Sequence, residues 1–135
     1  MPLVHPIVLA LVLVVLSTGT ASAGSPKEIQ EQGKAMVRDA EEMVAHGGMG
    51  DGKAIVHHCG EVAKQAQAIL KTLPAADEHG KEAVPHLEDA IKYCKRVAEM
   101  GDKVDPGASL NPAVKARAAA REAMRHLAAM KDGGA

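Results

Sequence analysis

Apolar residues return every three or four positions along most of this chain, with charged residues between them, and no stretch shows the strict alternation of a half-buried strand. That period belongs to amphipathic helices, and loops divide it into four segments. The first opens at Ser25-Pro26-Lys27-Glu28, where Ser25 supplies an N-cap, Pro26 suits the first helical position and Glu28 completes a capping box. It should stop at His46-Gly47-Gly48. After a glycine-rich turn, Asp51 or Gly52 caps a second helix that runs to about Thr72, where Leu73-Pro74 ends it. A third spans about Asp77 to Met100 and is closed by Gly101; Pro85 inside it predicts either a kink or a true start near Ala83. Asn111-Pro112 is expected to start the fourth, which ends at Lys131-Asp132-Gly133. Four helices with short connections predict an all-α fold, an up-down-up-down four-helix bundle.

Aligned on their apolar positions, the four segments share a nine-residue unit: Asp39 to Gly47, His58 to Ala66, His86 to Cys94 and Ala119 to Leu127. With the first position counted as zero, offset +3 is always acidic, as Glu42, Glu61, Asp89 and Glu122. Offsets +1, +4, +5 and +8 are apolar or small, and at about 100° per residue they gather on one face, the expected core. Offsets 0 and +7 fall together on the flank, about 90° to 110° around from that face. Histidine fills half of these slots: His58 and His86 at 0, His46 and His126 at +7. The other slots hold Asp39, Gln65, Tyr93 and Ala119.

Composition narrows the function classes. The chain has 16 Lys+Arg against 17 Asp+Glu, so no basic surface points to nucleic acid, and a single Tyr with no Phe or Trp leaves no platform for base stacking. Near the N-terminus, Ile7 to Leu16 is uncharged and apolar, but ten residues fall short of the ~20 that span a bilayer. With Ala21-Ser22-Ala23 behind it, this run reads as a secretory signal peptide cleaved after Ala23. Residues 24–135 then form one exported domain with no membrane attachment.

The flank carries the candidate chemistry. The unit places imidazole and carboxylate as H-x-x-E or E-x-x-x-H, residues that share one patch of helix surface. On one helix such a pair is ordinary surface chemistry. Repeated in register over four helices, it makes half-sites for a divalent transition metal, with Cu2+ first by the Irving–Williams order and Ni2+ and Zn2+ as alternatives. In an up-down bundle His46 and His58 share one level, with His57 nearby as an auxiliary, and His86 and His126 share the level at the opposite end. One hand of the bundle pairs them across grooves; the other brings His58 to Tyr93. The sequence leaves the hand open.

At Ala40-Glu41-Glu42-Met43-Val44-Ala45-His46-Gly47 and His86-Leu87-Glu88-Asp89-Ala90-Ile91-Lys92 the chain resembles the small metal-binding protein family of bacterial periplasms. The resemblance covers essentially all of residues 24–135. It implies a monomeric, periplasmic four-helix bundle that binds several transition-metal ions, copper above all, in a buffering role. His46, His58, His86 and His126 match the family pattern, and His79 matches a further histidine near the start of the third helix. Asp39, Gln65, Tyr93 and Ala119 stand where that pattern has histidine.

Cys59 and Cys94 both take core offsets and flank the second hairpin almost symmetrically. They read as a disulfide between the second and third helices, as two buried thiols, or as a thiolate metal ligand; an oxidising compartment favours the first. Met43 and Met124, with Met36 and Met130, fit the apolar faces and read as core filling. No H-E-x-x-H, C-x-x-C-H, G-x-S-x-G or Walker motif occurs, and no E-x-x-H pair of the di-iron bundles, so an enzyme is not expected. The leading expectation is a metal-binding module using His46, His58, His79, His86, His126, Glu42, Glu61, Asp89 and Glu122. The alternative is a helical stress or interaction protein of the cell envelope whose charged flanks only keep it soluble.

Overall fold

A computed structural model describes residues 22–101 and 105–132; most of the expected signal peptide, residues 1–21, and Gly133 lie outside the described residues. The fold is all-α, with α1 at Pro26–Gly48, α2 at Gly52–Thr72, α3 at Glu78–Met100 and α4 at Pro106–Ala129. Each helix packs on its two neighbours around a ring, and α2 also touches α4 across the centre. Every neighbouring pair runs antiparallel: Gly24 N–H donates to the Thr72 carbonyl, Cys59 meets Cys94, and Gln30 reaches the end of α4. No described helix is long and apolar enough to cross a membrane.

Helix ends follow local chemistry. Ser25 and Glu28 form the reciprocal capping box, with Pro26 at the start of α1. Asp51 accepts from Ala54 N–H at the start of α2, and Asp77 accepts from Gly80 N–H at the start of α3. Because α3 begins at Glu78, Pro85 lies within it and the start near Ala83 is not used. Pro85 is exposed, as is Lys81, whose carbonyl loses its helical donor there, so water can satisfy that group.

The start of α4 differs from expectation. Asp105 accepts from Gly107 N–H and Pro106 occupies the first turn, so the helix begins six residues before Pro112, which is buried inside it. Asp105-Pro106 carries the same cap-plus-proline signal as Asn111-Pro112, and the earlier pair takes the start. Ser109 bonds back to the Pro106 carbonyl and so satisfies its buried hydroxyl. The far end also comes early: α4 stops at Ala129, with Met130 as its C-cap, rather than at Lys131-Asp132. Gln30 Nε2 donates to the carbonyls of Leu127, which also accepts from Met130 N–H, and of Met130, the C-cap residue, and so ties the start of α1 to the end of α4.

The repeat organises the core. Offsets +1, +4 and +8 are buried in all four helices, as Ala40, Met43 and Gly47, Cys59, Val62 and Ala66, Leu87, Ala90 and Cys94, and Ala120, Ala123 and Leu127. Offset +5 is half-buried in each. One turn upstream, Met36, Ile55, Ala83 and Ala116 extend the same stripe. Met36, Met43 and Met130 fill the core, and Met124 packs half-buried at its edge. Gly47 permits a close approach: a Cβ there would stand 2.9 Å from Leu110 Cδ1 and 3.1 Å from Ile55 Cδ1.

Cys59 and Cys94 form a disulfide between α2 and α3, with Cα atoms 5.1 Å apart and a sequence separation of 35, so neither sulfur is a free ligand. On the chain-entropy account, a closed loop of that length stabilises by about 3–4 kcal/mol. Reduction should therefore lower the unfolding free energy by about that amount, read as a fall in the urea midpoint with and without reductant. An unchanged midpoint would show that the bridge does not restrain the unfolded chain.

Candidate metal centre

Packing of the buried stripe fixes the rotation of each helix, and the flank slots follow. The structure takes the hand in which the histidines pair within the α1/α2 and α3/α4 hairpins. His46 and His58 stack with ring centroids 5.4 Å apart and planes 13° from parallel. His86 and His126 do the same, at 5.4 Å and 9°. All eight flank slots resolve into offset 0 of one helix facing offset +7 of its partner: His58 with His46, Asp39 with Gln65, His86 with His126, and Tyr93 with Ala119. Gln65 Nε2 donates to Asp39 Oδ2 at 2.9 Å, and Tyr93 and Ala119 line one shallow groove with His86, Asp89 and Glu122. Histidine thus fills both members of a facing pair or neither.

In the α1/α2 groove, Asp39, Glu42 and His58 bring one ligand atom each within 4.8 Å of one another. His58 Nδ1 lies 3.2 Å from Asp39 Oδ1, and its Nε2 lies 3.6 Å from Glu42 Oε2. His57 meets the His58 ring edge-on at 5.2 Å but is itself exposed, consistent with an auxiliary place. His46 reaches the site through its stacking on His58.

The α3/α4 groove carries two overlapping sets. His86, Glu122 and His126 form one; His79, Glu82 and His126 form the other, each within the same 4.8 Å limit. His126 Nδ1 lies 3.0 Å and His79 Nδ1 3.3 Å from the same Glu82 oxygen. Glu122 also pairs with Arg125 on its own helix, at 3.0 Å. Beyond this set, the Nζ atoms of Lys92 and Lys115 lie 5.6 and 5.8 Å from the Tyr93 ring centroid, so the Tyr93 end of this groove carries cations that would repel a metal ion.

Of the residues expected from sequence, His46, His58, His79, His86, His126, Glu42 and Glu122 come together in these two grooves. Among the described residues, His46, Glu61 and Asp89 remain outside the three ligand-distance sets, although His46 stacks on His58 and Asp89 lines the α3/α4 groove. Asp39 and Glu82 were not among the expected acids. Glu82 lies one turn before His86 on the same helix, a spacing that could have identified it, whereas Asp39 joins only because its flank slot faces the partner helix.

The chain matches no family model, no curated protein and no solved structure. The grooves are therefore read from the chemistry of their own side chains.

Hydrogen bonds from His79 and, second, from His126 hold the Glu82 carboxyl below its ordinary value of 4.5. A lowered acid stabilises the fold above the ordinary carboxylate range and loses that contribution as pH falls through its own, lower value. In a carboxyl-carbon NMR titration Glu82 should titrate below the ordinary glutamate range. His79→Ala should raise it further toward that range than His126→Ala; the reverse order would assign the main hydrogen bond to His126.

Proposed function

We propose that this chain is a metal-binding module of an exported, oxidising compartment, holding divalent transition-metal ions, copper first, in the two intrahairpin grooves. The observation that carries the reading is the convergence of two stacked histidine pairs from antiparallel helices, with carboxylates at ligand distance from His58 in one and from both rings in the other. Imidazole nitrogen beside carboxylate oxygen suits copper, nickel and zinc, and copper binds such donors most tightly of the first-row divalent ions. The Cys59–Cys94 bridge supports the oxidising compartment, and the likeness to the small metal-binding proteins of bacterial periplasms supports a buffering role there. The exposed acids of both grooves suit exchange of ions with the surroundings rather than permanent burial.

The test is calorimetric titration of the protein with copper(II) at pH 7. Micromolar or tighter binding is expected, with one event lost in the His46→Ala/His58→Ala double variant and the other in the His86→Ala/His126→Ala variant. Because the ion must displace protons from imidazoles, which ordinarily titrate near 6.5, affinity should fall steeply between about pH 7 and 5. Binding that neither double variant alters would refute the paired sites. No binding above the background of scattered surface histidines would leave the bundle a scaffold of the envelope.

A further inference from the structure

The two grooves are not equivalent, and the difference lies in what stands behind the ligands. In the α1/α2 groove the flank pair that is not histidine, Asp39–Gln65, is hydrogen-bonded to the pair that is. Asp39 Oδ1 faces His58 Nδ1 at 3.2 Å, while Asp39 Oδ2 accepts from Gln65 Nε2 at 2.9 Å, so both carboxylate oxygens are engaged. A carboxylate accepts and does not donate, so the hydrogen of this contact belongs to Nδ1, and in a neutral ring that leaves the lone pair on Nε2. That nitrogen faces Glu42 Oε2 at 3.6 Å, too far for a hydrogen bond. Two electron-pair donors facing one another across such a gap suit a cation between them. The His58 and Asp39 side chains are only 13% and 17% exposed, so the arrangement is held by packing as well as by bonds.

The α3/α4 groove lacks this backing. Its non-histidine flank pair is Tyr93–Ala119, and Ala119 has no polar side-chain atom. A carboxylate does meet His126 Nδ1, but Glu82 is 56% exposed, is shared with His79 and is held by no amide. Ordering a long exposed side chain costs rotamer entropy that Asp39, shorter and already fixed, does not need to lose on binding.

We propose that Asp39, clamped by Gln65, is a positioning residue that holds His58 with Nδ1 protonated and Nε2 free for a divalent transition-metal ion shared with Glu42, making the α1/α2 groove the tighter of the two sites. This rests on the metal-binding reading above. Among the described residues Gln65 makes one side-chain hydrogen bond, the one its Nε2 donates to Asp39, and its Oε1 is buried without a partner.

The experiment compares the unaltered protein with Asp39→Asn and Asp39→Ala, with circular dichroism confirming that both variants keep the helical fold. Long-range proton–nitrogen NMR of the ring at about pH 8, above the ordinary imidazole range, reads the His58 tautomer without any metal. The Nδ1-protonated form is expected in the unaltered protein and in Asp39→Asn, whose amide oxygen still accepts and whose amide N–H₂ can donate to a turned Gln65 Oε1. Asp39→Ala should shift population to the Nε2-protonated form. In copper(II) titrations Asp39→Ala should weaken the tighter event by about 10–100-fold and spare the other. Asp39→Asn should stay within about threefold of the unaltered protein, since the positioning bond survives. Equal losses in both variants would make Asp39 a direct ligand and overturn the proposal, as would Nε2-protonated His58 in the unaltered protein or a tighter event that tracks His86 and His126. Absence of copper binding altogether would refute the metal reading and the ordering of sites with it, while the tautomer would still decide whether Asp39 fixes His58.

Discussion

Everything in this bundle depends on one packing constraint: the buried stripe at offsets −3, +1, +4 and +8 must face inward on all four helices at once. Because much of that stripe is alanine and glycine, the backbones approach closely and each helix has little rotational latitude. A helix turned by one residue would move about 100° and bring charged positions into the core. The flank residues are not recruited to the grooves by contacts of their own. They arrive there because the core allows no other rotation, and the disulfide between α2 and α3 ties the two hairpins into the same register.

That dependence explains how much was legible beforehand. Three of the four helix starts, the core offsets and the core placement of both cysteines follow from local signals and period alone, since caps, prolines and apolar spacing act over a few residues. The start of α4 was misplaced because two aspartate- or asparagine-proline pairs lie six residues apart and local chemistry suits both; the earlier start buries Ser109 and brings Leu110 against Gly47 of α1. The hand could not be read, because either hand buries the same offsets. Once the hand is known, the pairing of His46 with His58 and of His86 with His126 follows from the repeat.

The acids were harder to place than the histidines for a related reason. Offset +3 is acidic in every unit, yet only Glu42 and Glu122 approach the rings, while Glu61 and Asp89 sit on the helix whose histidine is at offset 0. A residue three positions after that histidine points along the groove away from the facing +7 ring, whereas one three positions after offset 0 on the partner lies four before its own +7 ring. Asp39 and Glu82 take the opposite places, one across the groove and one a turn upstream.

Both grooves lie inside contiguous hairpins, but their chain separations differ: His46 and His58 are twelve positions apart, His86 and His126 forty. Closing the longer loop in a chain without tertiary structure costs about 1 kcal/mol more. The first pair is therefore the one an emerging chain can assemble before the remaining helices exist to help it. During synthesis from the N-terminus, the α1/α2 hairpin can therefore close while α4 is still being made, and its flank is in place before the α3/α4 groove exists.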